Sequence, residues 1–87
     1  MPPNVYIVAS RIRLAEEWMY QNETFLRKFL GLEEKPVLIS SDGWRESDRL
    51  RGLPKDSLMI LVDLPYRTLR PLKQMYPHYT FISVDLD

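Results

Sequence analysis

Four short runs along the chain are apolar and rich in β-branched residues. They are Val5-Tyr6-Ile7-Val8-Ala9, Pro36-Val37-Leu38-Ile39-Ser40, Leu58-Met59-Ile60-Leu61-Val62 and Thr80-Phe81-Ile82-Ser83-Val84. Each has the length and composition of a strand. The first and third are continuously apolar, which marks strands covered on both faces, as in a parallel sheet. The fourth alternates. Ile82, Val84 and Leu86 share one face, while Phe81, Ser83 and Asp85 share the other. One face is therefore partly wet, which suits an edge strand.

The stretches between these runs carry helical spacing. Leu14, Ala15, Trp18, Met19, Phe25, Leu26, Phe29 and Leu30 recur at threes and fours. They predict a long helix with a kink or break near Asn22-Glu23-Thr24, because Asn22 sits on the apolar stripe. Gly31 suits the position just past its end. Residues 47–53 predict a short helix or turn, capped by Ser47 and ended by Gly52 and Pro54. Leu69, Leu72, Met75 and Tyr76 predict a last helix. Thr68 is its expected N-cap, which puts Pro71 in the first turn, and Pro77 stops it.

Strands alternating with helices give a three-layer α/β fold with a mainly parallel sheet and helices on both faces. The first and third strands should be central, so the expected strand order is 2-1-3-4. A hairpin at Asp42-Gly43 is the rival, since that dipeptide favours tight turns. We set it aside because Trp44 to Arg49 does not alternate like a strand.

Composition narrows the chemistry. The chain has 87 residues, no cysteine and one histidine. That length predicts a single domain over residues 1–87. Without cysteine there is no disulfide framework, thiolate metal site or cysteine nucleophile. A lone His78 excludes two-histidine metal motifs. Twelve basic side chains balance twelve acidic ones, which argues against a non-specific nucleic-acid binder. Met1-Pro2-Pro3-Asn4 lacks a basic leader region, and no apolar run is long enough for a signal or a membrane span. A cytoplasmic protein with no membrane association is expected.

In an open parallel sheet, ligands bind beyond the carboxyl ends of the strands near the topological switch point. The positions there are Ser10, Arg11 and Arg13 after the first strand, and Ser40, Ser41, Asp42, Gly43 and Trp44 after the second. Asp63, Pro65, Tyr66 and Arg67 follow the third, and Asp85 follows the fourth. Ser10 and Arg11 could offer a hydroxyl and a guanidinium to a phosphate at a helix N-terminus. However, the loop has no glycine, and no glycine-rich phosphate motif occurs. The simpler reading is that Ser10 caps the helix and Arg11 is solvated. Asp42, Asp63 and Asp85 share the same sheet end, like an acidic magnesium pocket. Aspartates also commonly end strands and start turns, and we favour that reading over a metal. His78 should lie at the opposite, amino end of the sheet, out of reach of the serines, so no catalytic triad is expected.

Arg45, Arg49, Arg51 and Lys55 form a basic cluster beside Trp44. Glu46, Asp48 and Asp56 interleave with it, leaving residues 44–56 with four basic and three acidic groups. A solvated face explains this better than a nucleic-acid groove. Trp44, Tyr66, Tyr76 and Tyr79 lie in or beside predicted loops. With the arginines they read either as an interface or as caps on a small core.

Val5-Tyr6-Ile7-Val8-Ala9-Ser10 leading to Ala15-Glu16-Glu17-Trp18, then Leu30-Gly31-Leu32, Leu38-Ile39-Ser40 and Asp48-Arg49-Leu50-Arg51-Gly52-Leu53 before Val62-Asp63, resemble a group of small Rossmann-like proteins encoded by phages of actinobacteria. The resemblance covers most of the chain. It implies a small Rossmann-like fold and a cytoplasmic accessory protein made in an infected bacterium. It carries over no functional residue.

These readings lead to a non-enzymatic protein-interaction module without a cofactor, with a host protein among its candidate partners. The binding candidates are Ser10, Arg11, Asp42, Trp44, Arg45, Asp63, Tyr66 and Arg67. The alternative is a binder of a nucleotide or phosphate ligand at the carboxyl end of the sheet. The chain is expected to be a monomer, or a homodimer joined through the fourth-strand edge.

Overall fold

The computed structural model describes residues 4–42 and 48–86. The four apolar runs become the strands β1 (Val5–Ala9), β2 (Val37–Ser40), β3 (Leu58–Val62) and β4 (Thr80–Val84). They form one sheet in the order β2-β1-β3-β4, and every pairing is parallel. The most apolar strands, β1 and β3, are the inner ones. Ile7, Ala9, Ile60 and Val62 are fully buried on one face, and Val8, Met59 and Leu61 on the other. Burying each of the larger side chains contributes roughly 1.5–3 kcal/mol.

The first helical stretch divides where Asn22 interrupts the stripe, into α1 (Ile12–Gln21) and α2 (Glu23–Lys28). The Asn22 side-chain amide donates to the Trp18 carbonyl at 2.9 Å. Its backbone N–H donates to the same carbonyl at 3.0 Å. Its own carbonyl then accepts from Leu26 at 3.0 Å, which starts the next helix. Asn22 thus closes one helix and opens another. α1 and α2 cover one face with Ala15, Trp18, Met19 and Leu26. The chain leaves α2 at Phe29, two residues before the expected stop. Gly31 then takes the left-handed conformation at φ 65°, where a side chain would be strained.

The opposite face is covered by α3 (Tyr66–Met75) and by residues 48–53. Residues 48–50 make a single 3-10 turn, and Leu50 is fully buried against Val8, Leu61 and Leu72. The expected cap Ser47 lies outside the described residues. At α3 the structure corrects the predicted start. Pro65 is the N-cap residue, and the Thr68 hydroxyl donates to the Pro65 carbonyl at 2.7 Å. Thr68 is therefore inside the first turn. Pro71 lies past that turn, where it removes a helical N–H donor to Arg67. The Cα radius of gyration is 12.0 Å, matching the ~12 Å of a folded domain of this length.

Candidate functional site

At the carboxyl end of the sheet, the predicted residues have separate roles. Ser10 and Arg11 are both exposed just beyond β1. Ser10 is not the helix cap. Arg11 occupies that position with an extended backbone, and its side chain makes no capping hydrogen bond. The helix start falls one residue late for Ser10 to cap it. After β2, the Ser41 N–H donates to the Ala9 carbonyl at 2.7 Å, and the side chain is buried. Asp42 is exposed. Trp44 and Arg45 lie outside the described residues.

Asp63 is committed to the fold. Its backbone is left-handed at φ 52°, a conformation aspartate tolerates better than most residues. Its N–H donates to the Val84 carbonyl at 2.9 Å. Its carboxylate Oδ1 accepts from the Leu86 N–H at 2.9 Å. The residue ties the end of β3 to the end of β4, which accounts for an acidic group at that position without a ligand. Among the described residues, no three His, Asp or Glu side chains gather as a metal cage would require. Tyr66 and Arg67 open α3, and Tyr66 is 82% exposed.

The other two predicted aromatics face inward. The Tyr79 hydroxyl accepts the Leu53 N–H at 3.1 Å. It donates toward the Leu50 carbonyl at 2.9 Å, with the Leu53 carbonyl at 3.1 Å as the other acceptor. The Tyr79 ring stacks on Tyr76, with centroids 5.3 Å apart, and meets Phe81 edge-on. One tyrosine thereby supplies the backbone partners that residues 50–53 cannot find in a helix or ladder. Tyr76 and Tyr79 are core caps rather than contact residues. Arg49 also has a structural partner, donating to the Ser40 carbonyl at 2.8 Å.

Two clefts open at the amino end of the sheet, away from the predicted site. One, of about 130 Å³, lies between the end of α1, α2 and the approach to β2, with a floor of Met19, Leu26, Leu32 and Pro36. Lys35 sits over the Tyr20 ring at its rim, 5.6 Å from the centroid. The other, about 210 Å³, lies by Leu53, Met75, Pro77 and the exposed His78. Both are smaller than the roughly 300–1,000 Å³ typical of small-molecule sites. They match single side chains better than a nucleotide.

The helical pattern also misplaced one pair of residues. Phe25 and Phe29 share the apolar stripe in sequence, yet Phe29 is 76% exposed and Phe25 is 38% exposed. Their rings stack on each other with centroids 5.6 Å apart. Phe25/Phe29 and Leu26/Leu30 are two i,i+4 pairs offset by one residue. A short helix has one inward stripe, and the leucines take it. The doubled stripe was the available signal that one pair had to face out.

Among the described residues, no helix is long and apolar enough to cross a membrane. No known protein family, curated protein or solved structure matches the chain.

Proposed function

We propose that the protein is a non-enzymatic protein-interaction module, and that the exposed rings of Phe25 and Phe29, on α2 and just past its end, are its main contact. The observation that carries this reading is the Phe25–Phe29 pair: two stacked phenylalanines that the fold leaves outside its core. Exposed aromatic side chains are the usual anchors of protein interfaces. Tyr66, with Arg67 beside it, supplies a second aromatic–arginine contact at the far end of the sheet. The resemblance to phage proteins makes a host protein of an actinobacterium the first partner to test.

The test is affinity capture from actinobacterial lysate with the wild type, a Phe25→Ser/Phe29→Ser variant and a Trp44→Ala/Tyr66→Ala variant. A partner held by the wild type and lost at least tenfold with the phenylalanine variant supports the reading. A partner indifferent to both variants, or no partner, refutes it.

A second reading, a phosphate-bearing ligand at the switch point, is favoured by the exposed Ser10 and Arg11 at the uncapped start of α1. It predicts a thermal shift with nucleotides that Arg11→Ala abolishes. A flat nucleotide screen removes it.

A further inference from the structure

The sheet has two free edges, and they are finished differently. In a parallel ladder, alternate residues of an edge strand turn N–H and C=O toward the neighbouring strand, and the others turn them outward. On β2, the Ser41 N–H reaches the Ala9 carbonyl, so Leu38 and Ser40 are the outward residues. The outward carbonyl of Ser40 is taken by the Arg49 guanidinium. This strand has only four residues and is entered through Lys35-Pro36. A short strand, a proline and a cation on the edge all discourage pairing with another chain.

On β4, the Thr80 N–H reaches the Ser57 carbonyl, and the Val84 carbonyl accepts from Asp63. Phe81 and Ser83 are therefore the outward residues. Among the described residues, nothing bonds their outward N–H and C=O groups. No lysine, arginine or proline lies between Thr80 and Leu86, where Asp85 is the only charge. Thr80, Ser83 and Asp85 are exposed, so the edge is open to approach.

We infer that β4 pairs antiparallel with β4 of a second copy of this chain, about a two-fold axis at Ser83, making one continuous eight-stranded sheet from two four-stranded ones. A two-fold contact requires a patch complementary to itself, and this one is. Ser83 faces its own counterpart, and the two exchange both backbone bonds. Phe81 faces Asp85 of the second copy, so no like charges oppose each other. On the α1 side, Ile82 faces Val84 and Val84 faces Ile82. These two and Leu86 are only half-buried. The reason is that α1 packs on β1, β2 and β3 rather than on β4. Pairing joins the two half-covered strips into one apolar band. This contact is separate from the Phe25 and Phe29 rings, so either reading can fail while the other stands.

The test is the solution mass of the full chain from micromolar to millimolar concentration, by sedimentation equilibrium. A mass rising from one chain to two is expected. Ser83→Pro removes one outward N–H at an edge position where proline is tolerated, and should hold the mass at one chain. Arg49→Ala, on the other edge, should leave the dimer intact. Because the chain has no cysteine, Ser83→Cys gives an independent reading that does not depend on the proline variant folding. Hydrogen-bonded antiparallel partners have Cα atoms about 5.5 Å apart, within disulfide reach. Oxidation should crosslink Ser83→Cys at least tenfold more than Ser10→Cys. A single-chain mass at millimolar concentration, a dimer that survives Ser83→Pro, or equal crosslinking of the two cysteine variants overturns the proposal.

Discussion

The two faces of the sheet are covered by different means. On one, α1 and α2 lay down Ala15, Trp18, Met19 and Leu26 from regular helices. On the other, α3 contributes only Thr68 and Leu72 as fully buried side chains. The rest of that cover comes from Leu64 just past β3, from the half-buried Leu69, Tyr76 and Tyr79, and from Leu50 and Leu53 in an irregular segment. An irregular segment over a core brings backbone N–H and C=O groups that need partners. The Tyr79 hydroxyl provides them. In the first cover, apolar packing is joined by a local polar contact, from the Asn22 side chain to the Trp18 carbonyl four residues back. The second needs packing and one polar side chain from a distant part of the chain. In a chain of 87 residues, an irregular segment takes the place of a further helix.

The largest test of this contrast is truncation on each side. Trp18→Ala should destabilise by roughly 3–5 kcal/mol and Leu50→Ala by roughly 2–5 kcal/mol in urea unfolding followed by circular dichroism. If Leu50→Ala costs less than about 1 kcal/mol, residues 48–53 are a loose flap and the second cover is α3 alone. A finer test is Tyr79→Phe, which keeps the ring and removes the hydroxyl. It should cost about 1–3 kcal/mol, because the Leu53 N–H loses its acceptor. Amide exchange should accelerate over residues 50–53 before it changes in α1. Uniform acceleration across both covers would contradict the division drawn here. The smallest effect belongs to the Glu23–Arg27 pair on α2, 2.8 Å apart with both side chains more than half exposed. Glu23→Ala should change stability by no more than about 0.5 kcal/mol. A larger loss would mean that the first cover also leans on its surface ion pair.

The sheet was readable from the sequence because its signal is local. Continuous apolarity in Val5–Ala9 and Leu58–Val62 marks inner strands, and the alternation of Phe81 to Asp85 marks an outer one. The break at Asn22 was equally visible as a polar residue on an apolar stripe. Helix starts were less legible. Ser10 and Thr68 are both good capping residues by type, yet the backbone turned helical one residue after Arg11 and directly after Pro65. Neighbouring geometry, not side-chain preference, decided both. The role of Tyr79 was out of reach, because its partners lie 26 and 29 residues away. Asp63 was correctly placed at the sheet end, but its partner, the Leu86 N–H, is a backbone group no pattern announces. At the candidate site, the sequence located Tyr66 and Arg67 at the carboxyl end of the sheet but in the loop, whereas they form the first two residues of α3. It counted Phe25 and Phe29 as core, since periodicity does not say which of two adjacent stripes turns inward.

The all-parallel ladder also governs how the chain reaches this state. No strand pairs with one that a tight turn could deliver. The central pairing sets Val5 opposite Leu58, so the first strand has no inner neighbour until α1, α2 and β2 have all been made. Contacts of such long sequence separation close slowly. During synthesis, β1, α1, α2 and β2 emerge first and can pack together, while the inner side of β1 stays unpaired until the third strand arrives.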